Sequence, residues 1–93
     1  MKLTDAQIND RLEEFPDWEY IENALHTNIE FENFREVFST MTRIAFECER
    51  LNHHPDWSNS YNELDISLST HGAGGVTEKD FDLAAAIEDI LNA

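Results

Sequence analysis

From residue 33 to residue 51 the apolar side chains Phe34, Val37, Phe38, Met41, Ile44, Ala45, Cys48 and Leu51 recur at steps of three and four, which is the spacing of one face of an α-helix. On either side of this segment the period is two. Upstream, Leu25, Thr27, Ile29 and Phe31 share one face of a strand while His26, Asn28 and Glu30 take the other. Downstream, Leu64, Ile66 and Leu68 alternate in the same way. A long amphipathic helix between two half-apolar strand pairs favours an antiparallel sheet with helices on one face.

The flanking signals extend this pattern. Thr4 and Gln7 have capping-box spacing, and Ile8, Leu12 and Phe15 form an apolar stripe that runs to Pro16. This predicts a short first helix. Residues 18–21 read as a strand and Glu22-Asn23 as a tight turn into the next one. Pro55 disfavours helical geometry at His54, so the long helix is expected to end within residues 52–54. Residues 57–61 and 64–70 read as two strands joined at Asn62-Glu63, and His71-Gly72-Ala73-Gly74-Gly75 as a flexible loop. Thr77 with Asp80 then opens a last helix that turns Phe81, Ala84, Ile87, Ile90 and Leu91 inward. The expected fold class is α+β, ordered αββαββα, with a four-stranded antiparallel sheet and helices packed on one face.

Ninety-three residues make one domain, spanning 1–93. A hydrophobic content of 41% supports a packed core despite the charge. Twenty acidic residues stand against six basic ones, a formal charge of −14, and such a surface repels phosphate backbones and anionic membranes. Direct nucleic-acid binding is not expected. Only Lys2 and Lys79 are lysines, and the acids are spread along the whole chain, a pattern that fits adaptation to high salt as well as an ordinary acidic protein. Cys48 is the single cysteine, so no disulfide forms within the chain, which suits a reducing cytoplasm. The N-terminal residues have no apolar core behind a basic patch, and no stretch approaches the roughly 20 apolar residues that span a bilayer. Neither export nor membrane insertion is expected.

Three of the four histidines, His53, His54 and His71, fall at the end of the long helix and at the end of a strand. The negative end of a helix dipole favours an imidazolium at such a position, and histidine exchanges protons near neutral pH. Taken singly, each has a structural explanation: His53-His54-Pro55 as a helix end and chain reversal, His71 as a loop residue, Asp80 as a capping carboxylate.

In combination they are more specific. Glu49-Arg50-Leu51-Asn52-His53-His54-Pro55-Asp56-Trp57, then Tyr61, then Leu68-Ser69-Thr70-His71, then Asp80, resembles the pterin-4a-carbinolamine dehydratase family. The likeness extends upstream through the helix and Phe31 to Trp18, and so covers nearly the whole chain. It implies a cofactor-free lyase that dehydrates 4a-hydroxy-tetrahydropterin to quinonoid dihydropterin, a step in recycling the pterin of aromatic amino-acid hydroxylases. Water leaves when the ring nitrogen beside the carbinol carbon loses its proton and the hydroxyl gains one, which requires an acid and a base. By resemblance His53 and His71 are that pair, His54 binds or orients the pterin, and Asp80 assists His71 or contacts the substrate. Glu49, one turn before His53, is expected to orient its imidazole. Trp18 and Trp57 are candidates to lie beside the pterin ring. Pro55, Thr70, Gly72 and Ala73 correspond to pterin-contacting segments, although the glycine-rich loop departs from the family pattern and implies contacts borne mainly by backbone.

Two other readings use the same residues. A metal site has imidazole and carboxylate donors, but adjacent histidines rarely ligate one ion and no His-x-x-x-His spacing exists, so no metal is expected. A non-catalytic module is the second, since animal members of the family also serve as the dimerisation cofactor of a homeodomain transcription factor, and an accessory role in molybdopterin metabolism belongs with it. Family members form dimers or tetramers, and the resemblance implies a homodimer or homotetramer here.

Overall fold

Four strands and three helices account for most of the chain. A computed structural model describes residues 1–93 and gives α1 (Asp5–Arg11), β1 (Glu19–Ile21), β2 (Ala24–Glu30), α2 (Phe34–Leu51), β3 (Asp56–Ser60), β4 (Glu63–Leu68) and α3 (Glu78–Leu91), with short 3-10 turns at Leu12–Glu14 and His71–Ala73. The sheet order is β1-β2-β4-β3 and every pairing is antiparallel. This is the expected α+β class and the expected order αββαββα.

Register follows the alternation. Leu25 faces Leu68, Thr27 faces Ile66 and Ile29 faces Leu64 across β2 and β4, and Trp57 on β3 lies opposite Ile66. A slip of one residue would turn all of them to water. Against this face pack Ile8 of α1, Val37, Ile44 and Cys48 of α2, and Phe81, Leu83, Ala84 and Ile87 of α3, forming one buried cluster. Arg11 ties α1 to α3, lying over the Phe81 ring at 4.6 Å and reaching both oxygens of Glu78 at 2.7 and 2.8 Å.

Several boundaries differ from expectation for physical reasons. The hairpin between β3 and β4 turns at Tyr61-Asn62, one residue early, because Ser60 pairs with Glu63. Asn62 exchanges bonds with Phe31, whose carbonyl accepts its amide at 3.0 Å and whose N–H reaches its carbonyl at 2.8 Å. Those two bonds clamp the turn to the end of β2. The glycine-rich loop is also less free than its composition suggests. Residues 71–73 form a 3-10 turn, Thr70 bridges to Gly75, and only Gly74 uses a positive φ, 75°.

The long helix divides its apolar residues between two faces. Val37, Thr40, Ile44 and Cys48 are buried, whereas Phe34 and Phe38 are exposed, as is Phe46 at 71%, and Ala45 points outward too. Phe34, Phe38 and Ala45 thus share the periodicity of the core positions without being buried. The apolar arc is wider than the strip that the sheet and α3 can cover.

Cys48 is buried within the core cluster, and removal from water pushes its thiol pKa up, with Glu49 and Glu47 adding to the rise. A thiol held neutral and covered is unreactive. Ellman's reagent is expected to label Cys48 only at the rate at which the chain unfolds in urea. Labelling that is rapid without urea would contradict this packing.

Candidate active site

Three segments meet at one end of the sheet: the exit from α2 into β3, the exit from β4 into the 3-10 turn, and the first turn of α3. Asn33 caps the start of α2 through Glu36 N–H, and Asn52 ends it in the left-handed conformation at φ 53°. Asparagine tolerates that geometry. The N–H of His53 then closes on the Cys48 carbonyl at 3.0 Å, and the chain leaves the helix axis with His53 and His54 side by side.

His53 meets Asp80. Its Nε2 is 2.5 Å from Asp80 Oδ1, with the side chains 10% and 0% exposed. The other carboxylate oxygen, Oδ2, accepts the Thr77 N–H at 2.9 Å and the Thr70 hydroxyl at 2.9 Å. Asp80 is thus the third residue of a capping box on α3 and the partner of an imidazole, and the pocket that holds it is supplied by three different elements. A carboxylate can be held this far from water only with such donors.

His54 and His71 are exposed and each faces a carboxylate. His54 Nε2 lies 2.7 Å from Glu49 Oε2, and His71 Nε2 lies 3.5 Å from Asp56 Oδ2. The pairings thus differ from those expected. Glu49 reaches His54 and not His53, because the left-handed Asn52 breaks the helical spacing that would have placed it over His53. Asp80 reaches His53 and not His71. Asp56 is the acid beside His71, a residue that sequence reasoning did not select, and its position straight after Pro55 offers no periodic signal.

The remaining candidates separate into two groups. Gly72 and Ala73 follow His71 in the 3-10 turn, and Pro55 lies between His54 and Asp56. The Thr70 hydroxyl is committed to Asp80 and Thr77. Trp57 is half-buried against the core. Trp18 is a correction: it is 4% exposed inside the core cluster, and its indole N–H donates to Glu88 Oε2 at 3.0 Å. An indole covered by α3 in this way has no face left for a planar ligand. Trp18→Phe is expected to lower stability by about 1 kcal/mol, the typical worth of one hydrogen bond, with KM unchanged; a raised KM would return Trp18 to the site. No three His, Cys, Asp or Glu side chains converge with metal-holding geometry.

The model of the family described as pterin 4 alpha carbinolamine dehydratase matches residues 1–90. The chain belongs to that family. A protein of Christiangramia forsetii, named provisionally as a pterin-4-alpha-carbinolamine dehydratase, is 58% identical over 92 residues that cover 99% of this chain and 95% of its own. One of Rhodospirillum rubrum with the same provisional name is 46% identical, covering 97% and 96%. Among solved structures, the transcriptional coactivator/pterin dehydratase of Brucella melitensis superposes with a TM-score of 0.94 at 34% identity, covering 97% of this chain and 98% of that one. Pterin-4-alpha-carbinolamine dehydratases are an enzyme family, and the three-helix, four-strand architecture described above is theirs. No helix here is long and apolar enough to cross a membrane.

Proposed function

We propose that this chain dehydrates 4a-hydroxy-tetrahydropterins to quinonoid dihydropterins, with His53 and His71 as the proton-transfer pair. The observation that carries this reading is the buried Asp80 carboxylate fixed against His53, since an imidazole held by a carboxylate is oriented for proton transfer. One histidine removes the proton from the ring nitrogen beside C4a and the other donates to the 4a-hydroxyl. The C–O bond breaks, a C=N bond forms and water departs, with no redox change. His54, braced by Glu49, and the backbone of Pro55, Gly72 and Ala73 bind the pterin, and the accessible part of Trp57 lies beside its ring.

The test is the decay of freshly generated 4a-hydroxy-tetrahydropterin, followed by absorbance in molar KCl. Wild-type protein is expected to exceed the uncatalysed rate by orders of magnitude, and equality with that rate would reject the enzyme reading. His71→Ala is expected to lower kcat by about 10²-fold, the lower end for an acid/base group; full activity would remove it from the pair.

The exposed Phe34, Phe38, Ala45 and Phe46 on α2 favour self-association, because an apolar stripe of this kind on a lone chain would face water. We assign it to a homodimer or homotetramer contact. Phe38→Glu is expected to reduce the mass measured by light scattering to that of the monomer, and an unchanged mass would exclude this surface. The charge of −14 fits a high-salt cytoplasm, where ions screen self-repulsion; unfolding midpoints should then rise from low to molar KCl.

A further inference from the structure

The first turn of α3 holds more order than a helix cap needs. An N-cap side chain has only to accept a hydrogen bond, and Thr77 does so, its Oγ1 taking the Lys79 N–H at 3.2 Å. The same oxygen also lies 2.8 Å from Thr70 Oγ1, which in turn is 2.9 Å from Asp80 Oδ2. Each hydroxyl has one proton to give. A carboxylate oxygen that already accepts the Thr77 N–H at 2.9 Å is an acceptor, so the Thr70 proton goes to Asp80. The contact between the two hydroxyls is then made by the Thr77 proton. Direction is fixed along the whole chain: Lys79 N–H to Thr77, Thr77 O–H to Thr70, Thr70 O–H to Asp80 Oδ2.

Asp80 ends that chain as a saturated acceptor on one oxygen and presents the other to His53 Nε2. The proton between them belongs to Nε2, which leaves Nδ1 of the neutral ring with a lone pair. Nδ1 makes no protein hydrogen bond, and no buried side-chain nitrogen or oxygen in the molecule lacks a partner. Nδ1 therefore opens to solvent.

We propose that Thr77 is a positioning residue for the dehydration, acting through Thr70 and Asp80 to hold His53 with its proton on Nε2, so that Nδ1 is the nitrogen that exchanges a proton with the pterin. This rests on the dehydratase reading for its chemistry and on hydrogen-bond geometry alone for the tautomer. Thr77 is 5% exposed, and its hydroxyl reaches Asp80 only by way of Thr70, so the effect of that hydroxyl travels through Thr70 and Asp80. Remove its hydroxyl and the Thr70 oxygen loses the donor that holds the Thr70 side chain in the rotamer aimed at Asp80. The carboxylate then loses the donor that keeps Oδ1 aimed at His53.

The experiment uses long-range proton–nitrogen correlation on protein carrying ¹⁵N-histidine, with the His53 signals assigned by their loss in His53→Gln, alongside kcat and KM. Wild type is expected to show the Nε2–H form. Thr77→Val should give a mixture of tautomers and a kcat lowered about three- to tenfold, the worth of one hydrogen bond, at similar KM, and Thr77→Ser should restore both. Thr70→Val, which leaves the helix cap in place, should give the same mixture and covers the case in which Thr77→Val does not fold. An unchanged nitrogen pattern and kcat in either folded valine variant, even with a lower Tm, would reduce Thr77 to a helix cap and overturn the proposal. Nitrogen spectra as expected from a protein that does not dehydrate pterins would uphold the tautomer and sink the reaction, so the two failures are distinguishable.

Discussion

His53→Ala is expected to lower kcat by about 10²- to 10⁴-fold, the usual contribution of a placed acid/base group. The loss comes from two sources that a second variant separates. Alanine removes the proton-transfer nitrogen and also leaves Asp80 Oδ1 buried without its partner, and such an orphaned acceptor costs about 1–3 kcal/mol of stability. His53→Gln restores a donor at a similar reach, so its urea midpoint should return toward wild type while its kcat stays as low as that of alanine. A glutamine variant with more than a tenth of wild-type activity would show that His53 positions other groups and transfers no proton itself.

The second large effect is at Asp80. Its side chain is fully buried and accepts from His53, Thr70 and the Thr77 backbone, so Asp80→Ala strands several donors and removes half of a capping box. The expected cost is about 3–5 kcal/mol, within reach of the whole stability of a small domain. Asp80→Asn is the more informative change. Its amide oxygen can still accept from Thr77 and Thr70, which turns its NH₂ toward His53 Nε2 and forces the imidazole proton onto Nδ1. Stability should fall by only about 1–3 kcal/mol, yet kcat should fall roughly 10²- to 10⁴-fold because the ring is locked in the unproductive tautomer. Near-normal turnover in Asp80→Asn would mean that the carboxylate serves the helix and not the histidine.

These two residues also show how far the sequence could be read. The Thr77-to-Asp80 spacing announced a capping box, the change of period at residue 33 announced α2, and both are present. The partners within the site were another matter. Placing Glu49 over His53 assumed that helical spacing continued to residue 53, but Asn52 adopts the left-handed conformation and carries His53 away toward α3, so Glu49 meets His54 instead. Contacts such as Trp18 to Glu88, 70 residues apart, or His71 to Asp56, depend on how the whole sheet is assembled. No local pattern encodes them. The same limit applies to Phe34 and Phe38: periodicity marks a helix face as apolar, while the width of the sheet beneath decides how much of it is covered.

Asp80 uses one carboxylate to start a helix and to hold an imidazole, so fraying of the first turn of α3 and release of His53 are a single opening event. The Thr77 amide hydrogen, bound to that carboxylate at 2.9 Å, exchanges with solvent only when that opening occurs. A backbone amide that transfers no proton to the substrate thereby keeps count of how often the site comes apart.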